Sequence, residues 1–203
     1  MNKIIFFLST LLVLVFFSCS SGYDNPADFE IEFSANGRTC KTTQYVGRNF
    51  YSINVPPRIN GKSVTEIGLN TFADLEMASI TIPDSIKKID DYSFSGNFLR
   101  NFIIPRKVKE IGIGAFMFNE LSHIVIPKSV RKIGYRAFCN NPLKSITIGS
   151  NVEFGELSGI DIENKEWKYT AFEGTGFDEA YQEHGRRAGV YTLTGGIWRF
   201  APR

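Results

Sequence analysis

Leu121-Ser-His-Ile124-Val-Ile126-Pro127-Lys-Ser-Val130-Arg-Lys-Ile133-Gly134-Tyr-Arg-Ala137-Phe138 is the stretch whose reading decides the fold. Working outward from it, the same residue types return every 22 residues. Ile-Pro stands at Ile82-Pro83, Ile104-Pro105 and Ile126-Pro127, and Ile148-Gly149 follows one period later. Phe72, Phe94, Phe116 and Phe138 keep the same interval, as do Ile67, Ile89, Ile111 and Ile133, and Val64, Ile86, Val108, Val130 and Val152. A fixed period in the twenties with apolar residues at set offsets marks a solenoid, in which each turn buries its apolar face against its neighbours.

Alternation assigns roles within one turn. In Leu99 to Pro105, Phe102 and Ile104 have period two and point inward, and Pro105 ends the strand because it has no N–H for the ladder. The equivalent strands centre on Ile80, Ile124 and Ile146, which leaves Ser79, Thr81, Asn101, Ile103, His123, Val125, Ser145 and Thr147 facing outward. The Val/Ile, Ile-Gly and Ala-Phe columns are then expected to turn the chain through irregular or single-turn helical corners. Asn97, Asn119 and Asn141 recur just before the next strand, where an amide side chain bridges backbone groups of adjacent turns.

Both ends of a solenoid need covers. Phe29, Ile31 and Phe33 alternate with polar residues, Asn36-Gly37 supplies a turn, and a second run reaches Val46, so a hairpin is predicted there. From Val55 to Ile67 the spacing is five residues longer than from Ile82 to Ile89, and the extra sequence around Gly61 reads as a protruding loop. After Ile148 the beat fails: Val152 keeps its column, but Glu153 to Thr175 carries acids where earlier repeats have Ile-Gly and Phe. A divergent last turn is expected, then a helix over Phe177–Gly185 and a hairpin from Val190 through Gly195-Gly196 to Phe200. Tyr191 and Trp198 belong to cap packing or, alternatively, to an exposed aromatic platform for a sugar.

Ile4 to Phe17 is an almost unbroken apolar run between Lys3 and Ser18-Cys19-Ser20. A charged start, a 14-residue apolar core and a small-residue exit describe an export signal, since a membrane span needs roughly 20 apolar residues. Cys19 directly after the core resembles a bacterial lipobox, although Phe16 and Phe17 are bulkier than its usual residues. The resemblance implies acylation of Cys19 and a membrane anchor; the alternative is an ordinary signal peptide with an incidental cysteine. The expected organisation is thus a signal peptide over 1–18, a tether over 19–28, an N-terminal hairpin cap over 29–53, 22-residue repeats over 54–152, and a divergent last repeat with a C-terminal cap over 153–203. Cys40 and Cys139 lie several turns apart, about 15–20 Å at ~4.8 Å per turn, too far for a disulfide.

The chain of 203 residues carries a formal charge of +2, and without the leader it is nearly neutral, which gives no footprint for nucleic acid. Between Met77 and Gly149, however, 11 basic residues face five acidic ones. Arg106, Lys107, Lys128 and Arg131, in the turns after Ile-Pro, form a secondary basic patch, read either as a solvated surface or as a site for an acidic partner. His123 and His184 stand near no cysteine in any ligand spacing, and no metal or other cofactor is expected. Nor is there a nucleophile elbow or phosphate-cradling loop; no catalytic residue is assigned and enzyme activity is not expected. His123 makes the outward face pH-sensitive or is merely solvated.

The combined columns, Leu-x-x-Ile-x-Ile-Pro-x-x-Val-x-x-Ile-Gly-x-x-Ala-Phe, resemble the BspA-like class of bacterial leucine-rich repeats over Asn54 to Val152, about half of the chain. The resemblance implies a leucine-rich-repeat solenoid of short parallel strands with little helix. It also implies an exported protein of the outer membrane or cell surface that engages an extracellular or envelope protein, such as a host matrix protein, or other bacteria. It supplies no binding residue, because the shared columns are packing positions. The outward strand residues are therefore the expected binding face. A structural, self-assembling envelope protein and a glycan-binding accessory protein remain as alternatives.

Overall fold

Two strand segments per turn, rather than one, carry the solenoid. The computed structural model describes residues 22–155, 157–160 and 166–203; the expected signal peptide and Cys19 lie outside them. In chain order the elements are a short 3-10 helix (Pro26–Asp28), β1 (Phe29–Phe33), β2 (Thr39–Tyr45), β3 (Ser52–Asn54), β4 (Arg58–Ile59), β5 (Lys62–Ile67), β6 (Ser79–Thr81), β7 (Lys88–Ile89), β8 (Glu110–Ile111), β9 (His123–Val125) and β10 (Lys132–Ile133). They continue with β11 (Ser145–Ile148), β12 (Glu153–Phe154), β13 (Leu157–Ile160), β14 (Glu166–Tyr169), α1 (Phe177–Glu183), β15 (Gly189–Thr194) and β16 (Ile197–Pro202).

The Ile-Gly column, expected to be a corner, builds the longest sheet, in the order β1-β2-β5-β7-β8-β10-β12 with β4 paired to β5. Its parallel rungs are joined by amides donating from each turn to the one before: Lys87 to Thr65 O, Lys109 to Lys87 O, Arg131 to Lys109 O and Glu153 to Arg131 O, each 2.8 Å. The glycines of this column are needed for close approach. A Cβ on Gly112 would come within 2.5 Å of the Asp91 amide, and one on Gly134 within 2.5 Å of the Ile113 amide.

The Ile-Pro strands make the second surface, with β3 beside β6, and a four-stranded sheet in the order β9-β11-β15-β16. Asn101–Ile103 keeps the alternation, Phe102 and Ile104 being buried, but it does not pair as a strand. Its inward side chain is Phe102 where the neighbouring turns have Ile80 and Ile124. That ring packs against Phe94 and Phe116, at 5.1 and 4.7 Å between centroids.

The core is a column of near-parallel phenylalanine rings. Phe72, Phe94, Phe116, Phe138 and Phe172 follow one another at 5.5, 5.2, 5.2 and 4.9 Å between centroids, an offset-stacked geometry worth about 0.5–1.5 kcal/mol per pair beyond burial. Phe29 and Tyr45 of the N-terminal hairpin close one end against Phe72. At the other end Phe177 packs on Phe172, and Tyr191 and Trp198 pack on Phe177. Each repeated corner passes through a left-handed residue, Asn70, Tyr92, Gly114 and Arg136, two positions before its phenylalanine. Only glycine adopts that conformation without steric cost, so stacking imposes it on the others.

The asparagines do what their spacing predicts. Asn119 Nδ2 donates to Phe94 O (2.8 Å) in the preceding turn and to Phe116 O (3.2 Å) in its own, while Oδ1 accepts from the Leu99 amide (3.1 Å). Asn97 and Asn141 repeat the pattern.

The last turn is interrupted rather than divergent. Phe154-Gly155 occupies the Ile-Gly column, Ala171-Phe172 the Ala-Phe column, and Thr175 replaces asparagine, its hydroxyl donating to Phe172 O at 2.7 Å. Phe138 and Phe172 are 34 positions apart because the chain detours through the β13–β14 hairpin, yet the Phe138 amide still reaches Ala171 O at 3.0 Å, as in every earlier turn.

Other expectations are met or refined. The Gly61 loop is a tight β4–β5 hairpin with Asn60 and Gly61 both at positive φ. The hairpin register slips between Glu30 and Ile31, leaving Thr43 of β2 as the extra residue; β1 keeps its alternation, with Phe29 buried, Ile31 half-buried and Phe33 exposed. Cys40 and Cys139 are free and buried, and burial raises both thiols above their ordinary pKa. Helix α1 and the β15–β16 hairpin stand where the sequence predicts them. Tyr191 and Trp198 are buried, with Trp198 Nε1 donating to Thr175 O (2.8 Å), which removes the aromatic sugar platform.

Candidate interaction surface

The outward residues of the Ile-Pro segments recur at repeat spacing. Ser52 pairs with Ser79 and Asn54 with Thr81, His123 pairs with Ser145 and Val125 with Thr147, and Asn101 and Ile103 stand at the same positions of the intervening turn without pairing. Ser79, Thr81, Asn101, Ile103, His123 and Val125 are exposed, as alternation requires. Ile103 is 88% and Val125 56% exposed, an apolar pair one turn apart amid hydroxyl, amide and imidazole groups. Polar side chains are locally organised: Ser79 Oγ donates to Ser52 Oγ (2.9 Å), and Ser122 Oγ lies 2.7 Å from His123 Nδ1.

Ser145 and Thr147 are only half exposed, because β15 pairs antiparallel with β11 and places Thr192 and Val190 beside them. The cap thereby lengthens the face, and β16 adds Arg199 and Ala201 opposite Thr192 and Val190. Sequence reasoning missed these four residues. The alternation in 190–194 was visible, but nothing local to the hairpin shows that it joins the strand face.

Arg106, Lys107, Lys128 and Arg131 of the basic patch are all exposed, in adjacent turns. The Arg131 guanidinium also donates to Lys128 O (2.6 Å) and Val130 O (3.2 Å) of its own turn. Among the described residues, no group of three His, Cys, Asp or Glu side chains is placed to hold a metal ion.

The second sheet carries an organised feature of its own. Its outward residues, in register, are Glu32, Lys41, Glu66, Lys88, Glu110, Lys132 and Glu153, strictly alternating in charge. Lys41 contacts Glu32 at 2.9 Å and Lys88 contacts Glu66 at 3.4 Å. Burial works against the Lys88 ammonium, but Asp90 and Glu66 outweigh it and its pKa is raised. The signal was present as Glu66, Lys88, Glu110 and Lys132 at 22-residue spacing. It carries meaning only once that column is known to be a strand.

A model of the BspA type leucine-rich repeat region matches residues 41–158 in six copies. No curated protein matches the chain. Among solved structures, a leucine-rich repeat protein of T. pallidum is 20% identical, over 62% of this chain and 71% of that one, with a TM-score of 0.48. One from Bacteroides ovatus is 25% identical over 60% of this chain and 40% of its own (TM-score 0.46), and one from Eubacterium ventriosum is 21% identical over 70% and 46% (TM-score 0.42). The match thus spans less than half the length of the latter two proteins.

Proposed function

The chain belongs to the BspA-type leucine-rich repeat family, and from that premise we propose that it is an exported, lipid-anchored surface protein that captures a protein partner on its Ile-Pro strand face. The observation that carries this reading is the exposed apolar pair Ile103 and Val125, one repeat apart, with polar neighbours on the paired strands β3–β6 on one side and β9–β11–β15 on the other. Burying an exposed aliphatic side chain of this size contributes about 1.5–3 kcal/mol. A central apolar anchor with hydroxyl and amide neighbours is the arrangement from which binding hot spots are made. The apolar run before Cys19 supports export and the anchor.

The test is capture from a panel of extracellular matrix proteins and envelope extracts by the purified chain. Replacing Asn101 and His123 by Ala and Ile103 and Val125 by Ser in one variant is expected to abolish capture while melting and far-UV dichroism stay unchanged. Capture that persists sinks the strand-face reading. Capture that instead weakens steeply with salt and disappears on Arg106→Glu with Lys128→Glu assigns binding to an acidic partner at the basic turns. Cys19→Ala is expected to release the protein from the membrane fraction, and an unchanged distribution refutes the anchor.

A further inference from the structure

The charge ladder begins and ends on glutamate. Glu32 lies on β1 and Glu153 on β12, the two outermost strands of the sheet, and no described strand pairs with the outer edge of β12. Such an edge offers unpaired backbone groups to an added strand. One of them is already met by a substitute: Arg186 Nη2 donates to Val152 O, where the amide of a following turn would otherwise stand. Beside this edge opens a cavity of about 700 Å³, lined by Glu153, Phe154, Thr170, Asp178, Tyr181 and Arg186 among others. In its wall Asp178 is 2% exposed; Oδ2 accepts from Thr170 Oγ1 (2.6 Å) and the Phe172 amide (3.2 Å), while Oδ1 has no hydrogen-bond partner.

We propose that the β12 edge and its cavity bind an extended, lysine- or arginine-bearing segment of another protein, added to the sheet as its next rung with the basic side chain beside Glu153. The charge pattern selects the occupant. Every rung from Glu32 to Lys132 is followed by one of opposite sign, so the position after Glu153 calls for a cation. Stacking a second copy end to end sets Glu32 or Glu153 against Glu153, and like charges directly opposite each other are destabilising. The same ladder that accepts a basic segment therefore opposes growth of the solenoid into a filament. On the core side of the rung, Phe154 supplies an apolar surface and Asp178 Oδ1 an acceptor for a donor of the incoming segment. This site lies on the other sheet from the strand face and depends on none of its residues.

The experiment is calorimetric titration of the purified chain with two blocked peptides, Lys-Val-Lys-Val-Lys and Glu-Val-Glu-Val-Glu. The lysine peptide is expected to bind more tightly by at least about fivefold and to protect the Phe154 amide from hydrogen exchange. Glu153→Lys is expected to invert the preference, Glu153→Gln to erase it, and Glu32→Lys at the far end to leave it unchanged, each variant first shown to melt as a folded protein. Equal binding of the two peptides, a preference that survives Glu153→Gln, or one that follows Glu32→Lys overturns the proposal. So does self-association in sedimentation that Glu153→Lys abolishes, which gives the edge to a second copy.

Discussion

Replacing Asn119 by alanine tests the physical basis of the repeat at a single side chain. The Leu99 amide is buried and has Asn119 Oδ1, at 3.1 Å, as its acceptor. On the donor side the loss is partly covered: Phe94 O still accepts from Asn97 Nδ2 (3.1 Å), Phe116 O from Asn141 Nδ2 (2.8 Å), and Met117 O, the longest of the three contacts at 3.3 Å, from the Gly96 amide (2.9 Å). The alanine variant therefore strands one buried N–H, at about 1–3 kcal/mol, and loses, besides the long contact, two shared bonds of about 0.5–1.5 kcal/mol each. Roughly 3 kcal/mol is expected, or ~6–12 °C in melting temperature for a domain of this size. Asn119→Asp separates the two functions. It keeps the acceptor for Leu99 but aims a carboxylate oxygen at Phe94 O and Phe116 O, so at neutral pH it should cost more than alanine. Burial and the facing carbonyls raise the folded-state pKa of that carboxyl above its unfolded value of about 3.9. The added cost is therefore present at neutral pH and fades as pH falls toward about 4. Urea unfolding followed by dichroism, with exchange of the Leu99 amide and the exposed Asn101→Ala as control, measures all three. An Asn119→Ala midpoint indistinguishable from Asn101→Ala, or an aspartate variant more stable than alanine at pH 7, refutes the reasoning.

Two further outcomes follow from charge placement. Lys88→Glu sets three glutamates in successive rungs, Glu66, the new one and Glu110, and should cost about 1–2 kcal/mol in low salt; a loss that does not shrink in 1 M salt would show that packing, not charge, is responsible. Burial pushes the Asp178 carboxyl up to about 6, despite the hydrogen bonds from Thr170 and Phe172 that lower it. Its folded-state pKa lies above the unfolded one, so the stability linked to its protonation is fully present below about 4 and is lost as pH rises through 6. The melting temperature of the native chain relative to Asp178→Asn should accordingly fall between pH 4 and 7, and a difference that stays flat across that interval excludes the assignment.

The sequence by itself determined the period, the buried columns, the asparagine bridges and both caps. Each is a local consequence of residue type at fixed spacing: an inward isoleucine, an amide able to join two turns, an alternating run closed by a turn. Tertiary structure decided what depends on distant segments meeting. The continuation of the phenylalanine column at Phe172 was hidden by the intervening hairpin, because a periodic pattern cannot be followed through an insertion until the Phe138 amide is seen reaching Ala171 O. Pairing of β15 with β11 lengthened the strand face, since only backbone hydrogen bonding between remote strands could bring Thr192 and Val190 beside Ser145 and Thr147. The charge ladder shows the division most plainly. Its residues recur visibly along the chain, but whether Glu66, Lys88, Glu110 and Lys132 are scattered corner charges or one neutralised row depends on the hydrogen-bond register between turns, and register is a property of the folded stack.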